Sequence, residues 1–278
     1  MPGIKNFNPE KDIPSLAGKV IFVTGGTNGL GRESVLAFAK HGPAHIYFTG
    51  RDAAAAASLA EAIKPFNVPS TFLELDMMSL STVKAAVARF SHDRLDILMC
   101  NAGIMAKPPS LTKDGYELQF GVNHLAHGMV IQKLLPVLQK TAAEPNSDVR
   151  IVCLTSTGQS KLANVVYARE LASRYPNITS VSIHPGVVET GLVTNLGFLK
   201  KKFVYVTTTL TGDPIVSPEE GCWNQVWAAA AAKKSELVNG AIYYPIGVMS
   251  NSELDTVAQD PALATKLWDY TDKELAKF

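Results

Sequence analysis

Two side chains able to do chemistry, Ser156 and Lys161, stand close together in 150-RIVCLTSTGQSKLAN-164. The left half of this stretch is apolar and β-branched, as a buried strand is, and ends on the serine. The right half has helical spacing and carries the lysine. Almost no chain lies between them. A second stretch, 19-KVIFVTGGTNGLGRESVLAFAKHG-42, reads strand, glycine-rich turn, helix. Gly25, Gly29 and Gly31 form G-x-x-x-G-x-G, in which glycine lets the backbone turn sharply and approach a ligand, while the helix N-terminus favours negative charge. A strand–turn–helix of this kind suits the pyrophosphate of a dinucleotide; the plain alternative is a tight turn. His124 and His127, at i, i+3, invite a metal reading. No carboxylate or third ligand accompanies them at suitable spacing, and no metal is assigned.

These groups need a scaffold that brings distant turns together. Short apolar runs at 19–24, 44–49, 71–75, 95–100, 149–155, 179–184 and 241–244 alternate with helical patterns at 30–41, 52–64, 80–90, within 115–140, 160–174 and 218–233. Strands apolar on both faces belong to a parallel sheet covered on both sides. Repeated βα units of this kind predict an α/β fold, a doubly wound parallel sheet of Rossmann type. One domain over 1–278 is expected, with the cofactor-binding and catalytic core at 19–186, a long apolar substrate-binding loop at 187–218 and a C-terminal part at 219–278. Trp223 and Trp227, at i, i+4, read as core packing or a cleft wall, and the basic run 200–202 as a solvated loop.

A chain of 278 residues with 46% apolar and 18% charged residues can bury a sizeable core. Its net charge of +1 leaves no electrostatic footprint for nucleic acid. Cys100, Cys153 and Cys222 are widely spaced and read as buried reduced thiols. The first residues, MPGIKNFNPEKDIPS, lack the apolar core of a signal peptide, and no run is long enough to cross a bilayer. The expected location is cytoplasmic, without membrane association.

TGGTNGLG resembles the cofactor signature of the short-chain dehydrogenase/reductase family, and further motifs follow in that family's order. They are Asp76 after the third strand, 101-NAG-103 after the fourth, Asn123 in 121-GVNHLAHG-128, Ser156 after the fifth, Ser160-Lys161 with Asn164, and 185-PGVVET-190 after the sixth. The likeness is to retinol-dehydrogenase-like and fungal NADP-dependent members. It implies a nicotinamide dinucleotide on Gly25, Thr27, Asn28, Gly29, Leu30 and Gly31. Asp76 would meet the adenine amino group; Asn101, Ala102 and Gly103 would line the adenosine ribose side. Lys161 would hold the nicotinamide ribose, with Pro185, Gly186, Val188 and Thr190 at the carboxamide end. Milder readings make Asp76 a helix N-cap and Asn101 a turn residue. The resemblance also implies a homodimer or homotetramer built on the long helices. The form of the cofactor follows from 47-YFTGRD-52: Arg51 stands where a 2′-phosphate would lie and Asp52 reads as a helix cap, which favours NADP(H) over NAD(H).

In that family a serine holds the substrate oxygen and a tyrosine four residues before the lysine is the general acid/base. The lysine lowers the phenol's pKa, near 10 when unperturbed, and an asparagine supports a water-linked proton relay. Asn123, Ser156 and Lys161 match; the tyrosine position is Thr157, and no lysine in the chain has a tyrosine four residues earlier. Tyr167 lies nearly two turns beyond Lys161. Adjacent residues sit about 3.8 Å apart at Cα, too close for a serine and a tyrosine to meet one oxygen. The strand-to-helix connection is also shorter than the family's. Three readings stand open: a tyrosine-bearing segment absent from this sequence, a non-catalytic nucleotide-binding interaction or regulatory protein on the same fold, or rearranged chemistry. The leading expectation is NADP(H)-dependent interconversion of a carbonyl and an alcohol on a lipophilic small molecule. Intact mass of the endogenous protein separates the first reading from the others. A mass of 29.9 kDa means the junction is real, and a heavier chain with extra residues before Lys161, a tyrosine among them, means it is not.

Overall fold

The four residues of β1 (Val20–Val23) are all buried, and they alternate between two cores. In this computed structural model, which describes residues 3–4, 6–155, 159–188 and 215–278, β1 lies inside an eight-stranded sheet. The other strands are β2 (His45–Gly50), β3 (Ser70–Glu74), β4 (Ile97–Cys100), β5 (Arg150–Leu154), β6 (Thr179–Ile183), β9 (Ile242–Tyr244) and β10 (Val248–Met249). The order is β10-β9-β6-β5-β4-β1-β2-β3, parallel throughout except for the edge strand β10. β1 pairs with both β2 and β4, so the chain reverses direction across the sheet at β1/β4. A crevice opens beyond the strand ends at such a point.

Period-two alternation sends Phe22, Tyr47, Leu98 and Cys153 to one face, with Val83, Met129, Tyr167 and Trp268. It sends Ile21, Phe48, Met99 and Val152 to the other, with Val35, Phe38, Leu59 and Val226. Each large apolar side chain so buried contributes about 1.5–3 kcal/mol, which is why both faces of the sheet must be covered. All seven expected strands are present, with ends shifted by a residue or two. The helices include Gly29–Ala39, Ala53–Ile63, Leu80–Val87 and Gln159–Arg174.

Four features differ from expectation. The helix expected within 115–140 is Leu118–Phe120, a π turn at Gly121–Leu125, then Ala126–Ala142. The helix expected at 218–233 is broken into Pro218–Gly221, Trp223–Val226 and a π turn at Trp227–Ala231. Alanine favours helix, yet Arg150 donates to the carbonyls of Ala228 (2.8 Å) and Ala232 (2.7 Å) and so takes two acceptors at the end of this segment. Val187–Val188 (β7) pairs in parallel with Ile215–Val216 (β8), so both ends of the long apolar segment are joined. The last feature is a C-terminal helix, Pro261–Leu275. Asp260 caps it through Ala262 N, and Pro261 stands at its first turn.

That helix lies along Gln159–Arg174. Trp268 stacks on Tyr167 at 4.9 Å, the Arg174 guanidinium sits 4.7 Å over the same indole, and Thr271 Oγ1 is 2.9 Å from His124 Nε2. No helix among the described residues is long and apolar enough to cross a membrane. Trp268→Ala is expected to cost roughly 3–5 kcal/mol in urea unfolding, as for other buried aromatics. A loss under about 1 kcal/mol would mean that the C-terminal helix lies outside the cooperative unit.

Candidate active site

Beyond β1 the chain turns through Thr24 and Gly25 into the Gly29–Ala39 helix. Gly25 has φ +65°, and a Cβ there would lie 2.9 Å from Ala102 Cα. A Cβ on Gly31 would lie 2.2 Å from Gly25 O and 2.4 Å from Asn101 Nδ2, so both glycines are required by packing. Asn28 caps the helix through Gly29 N, and Leu30 O accepts from Ser34 Oγ at 2.8 Å. The Thr27 side chain fills the space left by Gly50 at the end of β2. Asn101 directs its amide back to the turn, donating to Thr24 O (3.0 Å) and Gly25 O (3.3 Å), so its side chain shapes the glycine loop.

At the end of β2, Asp52 accepts from Ala54 N and Ala55 N and is the N-cap of the Ala53–Ile63 helix. Its carboxylate is therefore engaged, and the exposed Arg51 is the charge presented there. Asp76 follows β3 but is not the cap of the next helix, whose N-cap residue is Ser79. It accepts from Met78 N and pairs with Lys113 at 2.7 Å. Partial burial raises its carboxyl, but the bond from Lys113, the Met78 N–H and the charges of Lys113 and Arg51 outweigh burial and hold it below the usual range.

Asn123 lies in the π turn, fully buried. Its Oδ1 accepts from Ile104 N and its Nδ2 donates to Ile104 O (both 2.9 Å) and to Ser160 Oγ (3.1 Å). Its main-chain carbonyl accepts from His127 Nδ1 at 2.9 Å. That carbonyl cannot donate, so Nδ1 carries the imidazole proton and Nε2 accepts from the Thr24 hydroxyl, 2.9 Å away. Burial pushes His127 down to about 4 and His124 to about 3, so both rings are neutral at physiological pH. Lys161 donates to Leu154 O at 3.0 Å, at the end of β5, and burial pushes it down to about 8. A Cβ on Gly103 would lie 3.0 Å from Asn123 Oδ1 and 3.2 Å from Lys161 Nζ; the glycine leaves room where the three converge.

Ser156, Thr157 and Thr190 lie outside the described residues, as does the basic run 200–202. β5 ends at Leu154 and the next helix begins at Gln159, so residues 155–158 are the whole connection. Tyr167 is buried against Trp268 and His124, turned into the core. At the far end of the cleft, Gly186 has φ +78° and donates to His184 Nδ1, and Val188 packs on Gly221. Trp227 is buried edge-on to Tyr243, and Trp223 meets Phe7. No local signal marks Thr24 beyond its place beside the glycine turn, and the spacing of His124 and His127 points to a metal, not to the bonds His127 makes with Thr24 and Asn123. Asn224 and Gln225 carry no local signal.

Residues 19–198 match the family model for short chain dehydrogenase. A short-chain dehydrogenase/reductase of Aspergillus calidoustus is 33% identical over 309 residues, covering 95% of this chain and 96% of the relative. Retinol dehydrogenase 14 of Homo sapiens is 30% identical over 312 residues, covering 98% and 90%. Both alignments exceed the 278 residues of this chain, so each relative carries inserted residues without a counterpart here. The crystal structure of an uncharacterised protein from Mycobacterium Paratuberculosis superposes with a TM-score of 0.72 at 24% identity, covering 96% of this chain and 97% of that one. With its doubly wound sheet, its glycine turn and Lys161 beside Asn123, the chain belongs to the short-chain dehydrogenase/reductase family.

Proposed function

We propose that the protein is an NADP(H)-dependent oxidoreductase that interconverts a carbonyl and an alcohol on a lipophilic small molecule. The observation that carries this reading is the convergence of Lys161 Nζ, Asn123 and Gly103 at the ends of β4 and β5, beside the glycine turn. These residues fit a dinucleotide: Gly25 and Gly31 let the turn pack closely on Ala102 and Asn101, and Gly103 carries no Cβ in front of Asn123 and Lys161. Bound there, a nicotinamide would supply the hydride. Arg51 would take a 2′-phosphate, while Asp52 has its Oδ1 occupied in capping the next helix and Asp76 is paired with Lys113. Thr27, Asn28, Leu30, Asp76, Asn101 and Ala102 would border the adenosine and pyrophosphate half, and Pro185, Gly186, Val188 and Thr190 the nicotinamide half. Ser156 would hold the substrate oxygen. The apolar segment 187–218 would form the substrate wall, and the retinol dehydrogenase named among the relatives supports a lipophilic substrate.

Thr157 has no phenol to give or take a proton. Lys161 therefore works without the partner it ordinarily tunes, and carbonyl reduction should be slower by roughly 10²–10⁴-fold than in a tyrosine-bearing relative, the usual worth of a positioned general acid.

Two outcomes are expected. In a titration followed by tryptophan quenching, NADPH binds at least about 10-fold more tightly than NADH, and Arg51→Glu removes that preference, since a lost charge-assisted contact is worth this much. Binding of neither nucleotide at millimolar concentration would sink the reading; binding with no turnover of retinaldehyde or other apolar carbonyls would leave a nucleotide-binding protein. The second outcome concerns stability. Lys161 has a folded pKa of about 8, below its ordinary 10.5, so between these values the unfolded chain holds the extra proton and stability rises with pH. Below about pH 8 the burial penalty is full. Lys161→Met should therefore be more stable than wild type at pH 7, by on the order of 3 kcal/mol, with the difference closing as pH rises to 10.5. A pH-independent difference would show that the lysine is not desolvated.

A further inference from the structure

Asn224 and Gln225 are consecutive residues on the short helix Trp223–Val226, each 1% exposed. Asn224 Nδ2 donates to His184 O (2.9 Å) and Tyr243 O (3.0 Å), while its Oδ1 accepts from Gly247 N (3.0 Å). His184 immediately precedes the Pro185–Gly186 turn. Gln225 points to the other end of the cleft. Its Nε2 donates to Ser34 Oγ (2.6 Å), Asn101 Oδ1 (3.3 Å) and Leu30 O (3.4 Å). Asn101 in turn holds Thr24 O and Gly25 O of the glycine turn.

Successive side chains on a helix diverge by about 100°, which lets neighbours reach in two directions from one rigid peptide. No described group pairs with Gln225 Oε1. A buried amide half unpaired is costly, and a methionine would fill the same space without that cost. The Gln225 NH₂ is thus explained by what it holds.

We propose that Asn224 and Gln225 are positioning residues for the dinucleotide, tying the glycine turn at one end of the cleft to the Pro185–Gly186 turn at the other. The inference rests on the reading of the cleft as an NADP(H) site. Neither residue need touch the cofactor. The separation of the two turns is set by one peptide unit between two buried amides, so each amide should govern its own half of the ligand.

The test compares NADPH with 2′,5′-ADP, which carries only the adenosine half, by calorimetric titration of the full chain. Gln225→Met is expected to weaken both ligands roughly 10-fold, the worth of one or two buried hydrogen bonds. Asn224→Leu should weaken NADPH by a similar factor and leave 2′,5′-ADP within about twofold of wild type. Should Asn224→Leu fail to fold, Asn224→Asp, which keeps the acceptor for Gly247 N, takes its place with the same expectation. Ser34→Ala cuts the shortest Gln225 bond from the other side and should follow Gln225→Met in kind. Equal weakening of both ligands by both variants would show general loosening and overturn the proposal, as would folded variants that bind like wild type. A wild-type chain that binds no NADPH would overturn the cofactor reading and this inference with it.

Discussion

The hydroxyl of Thr24 holds three segments of the candidate site in one place. Fully buried at the end of β1, its oxygen accepts from Asn101 N (2.9 Å) and Ala102 N (3.0 Å), the turn that follows β4. Its proton goes to His127 Nε2, and His127 Nδ1 donates to the carbonyl of Asn123. The glycine turn, the Asn101–Gly103 turn and the π turn are thus fixed to a single oxygen at the point where the sheet reverses. In a low-dielectric interior each bond of such a chain strengthens the next, and an unpaired member would be expensive. The neutrality of His127 belongs to the same argument. A charged ring would have to donate from both nitrogens, turning the Thr24 hydroxyl around and setting it against two backbone donors.

Lys161 shows the opposite economy. It is a cation buried beside the Cys100 and Cys153 thiols, which sit opposite each other on β4 and β5. Cys100 is held well above the ordinary thiol range by its hydrogen bond to Cys153 and by burial. Among the described residues, Lys161 Nζ donates to the Leu154 carbonyl. A buried charge with one neutral partner is a poor stabilising device, and perturbed groups of this kind gather where function requires them.

Local signals carried most of the fold and part of the site. The strands were legible because runs such as 19–24 are apolar on both faces. The glycine turn was legible as a turn because it falls between an apolar strand and a helix, and Asp52 as a cap because an alanine-rich helix follows it. The C-terminal helix had its start written in Asp260–Pro261, an N-cap followed by proline, which went unread. The 218–233 region could not have been divided from sequence, since Arg150, nearly eighty positions away, takes the carbonyls that open it. The same holds for Gln225. Its partners Ser34 and Asn101 are 191 and 124 positions distant, and an amide on an Ala-rich helix looks like any polar residue until those distances collapse.

This division also explains how the cleft can stand with residues 155–158 as the only link between β5 and the Lys161 helix. None of the bonds that shape the glycine turn passes through that link: Thr24, Asn101, His127 and Asn123 close on one another, and Gln225 braces them from the opposite side. The helix bearing Lys161 is held apart from that link by Trp268 on Tyr167 and by Lys161 Nζ, which donates to Leu154 O (3.0 Å) at the end of β5. The bonds that shape the glycine turn therefore stand whatever residues join β5 to the Lys161 helix.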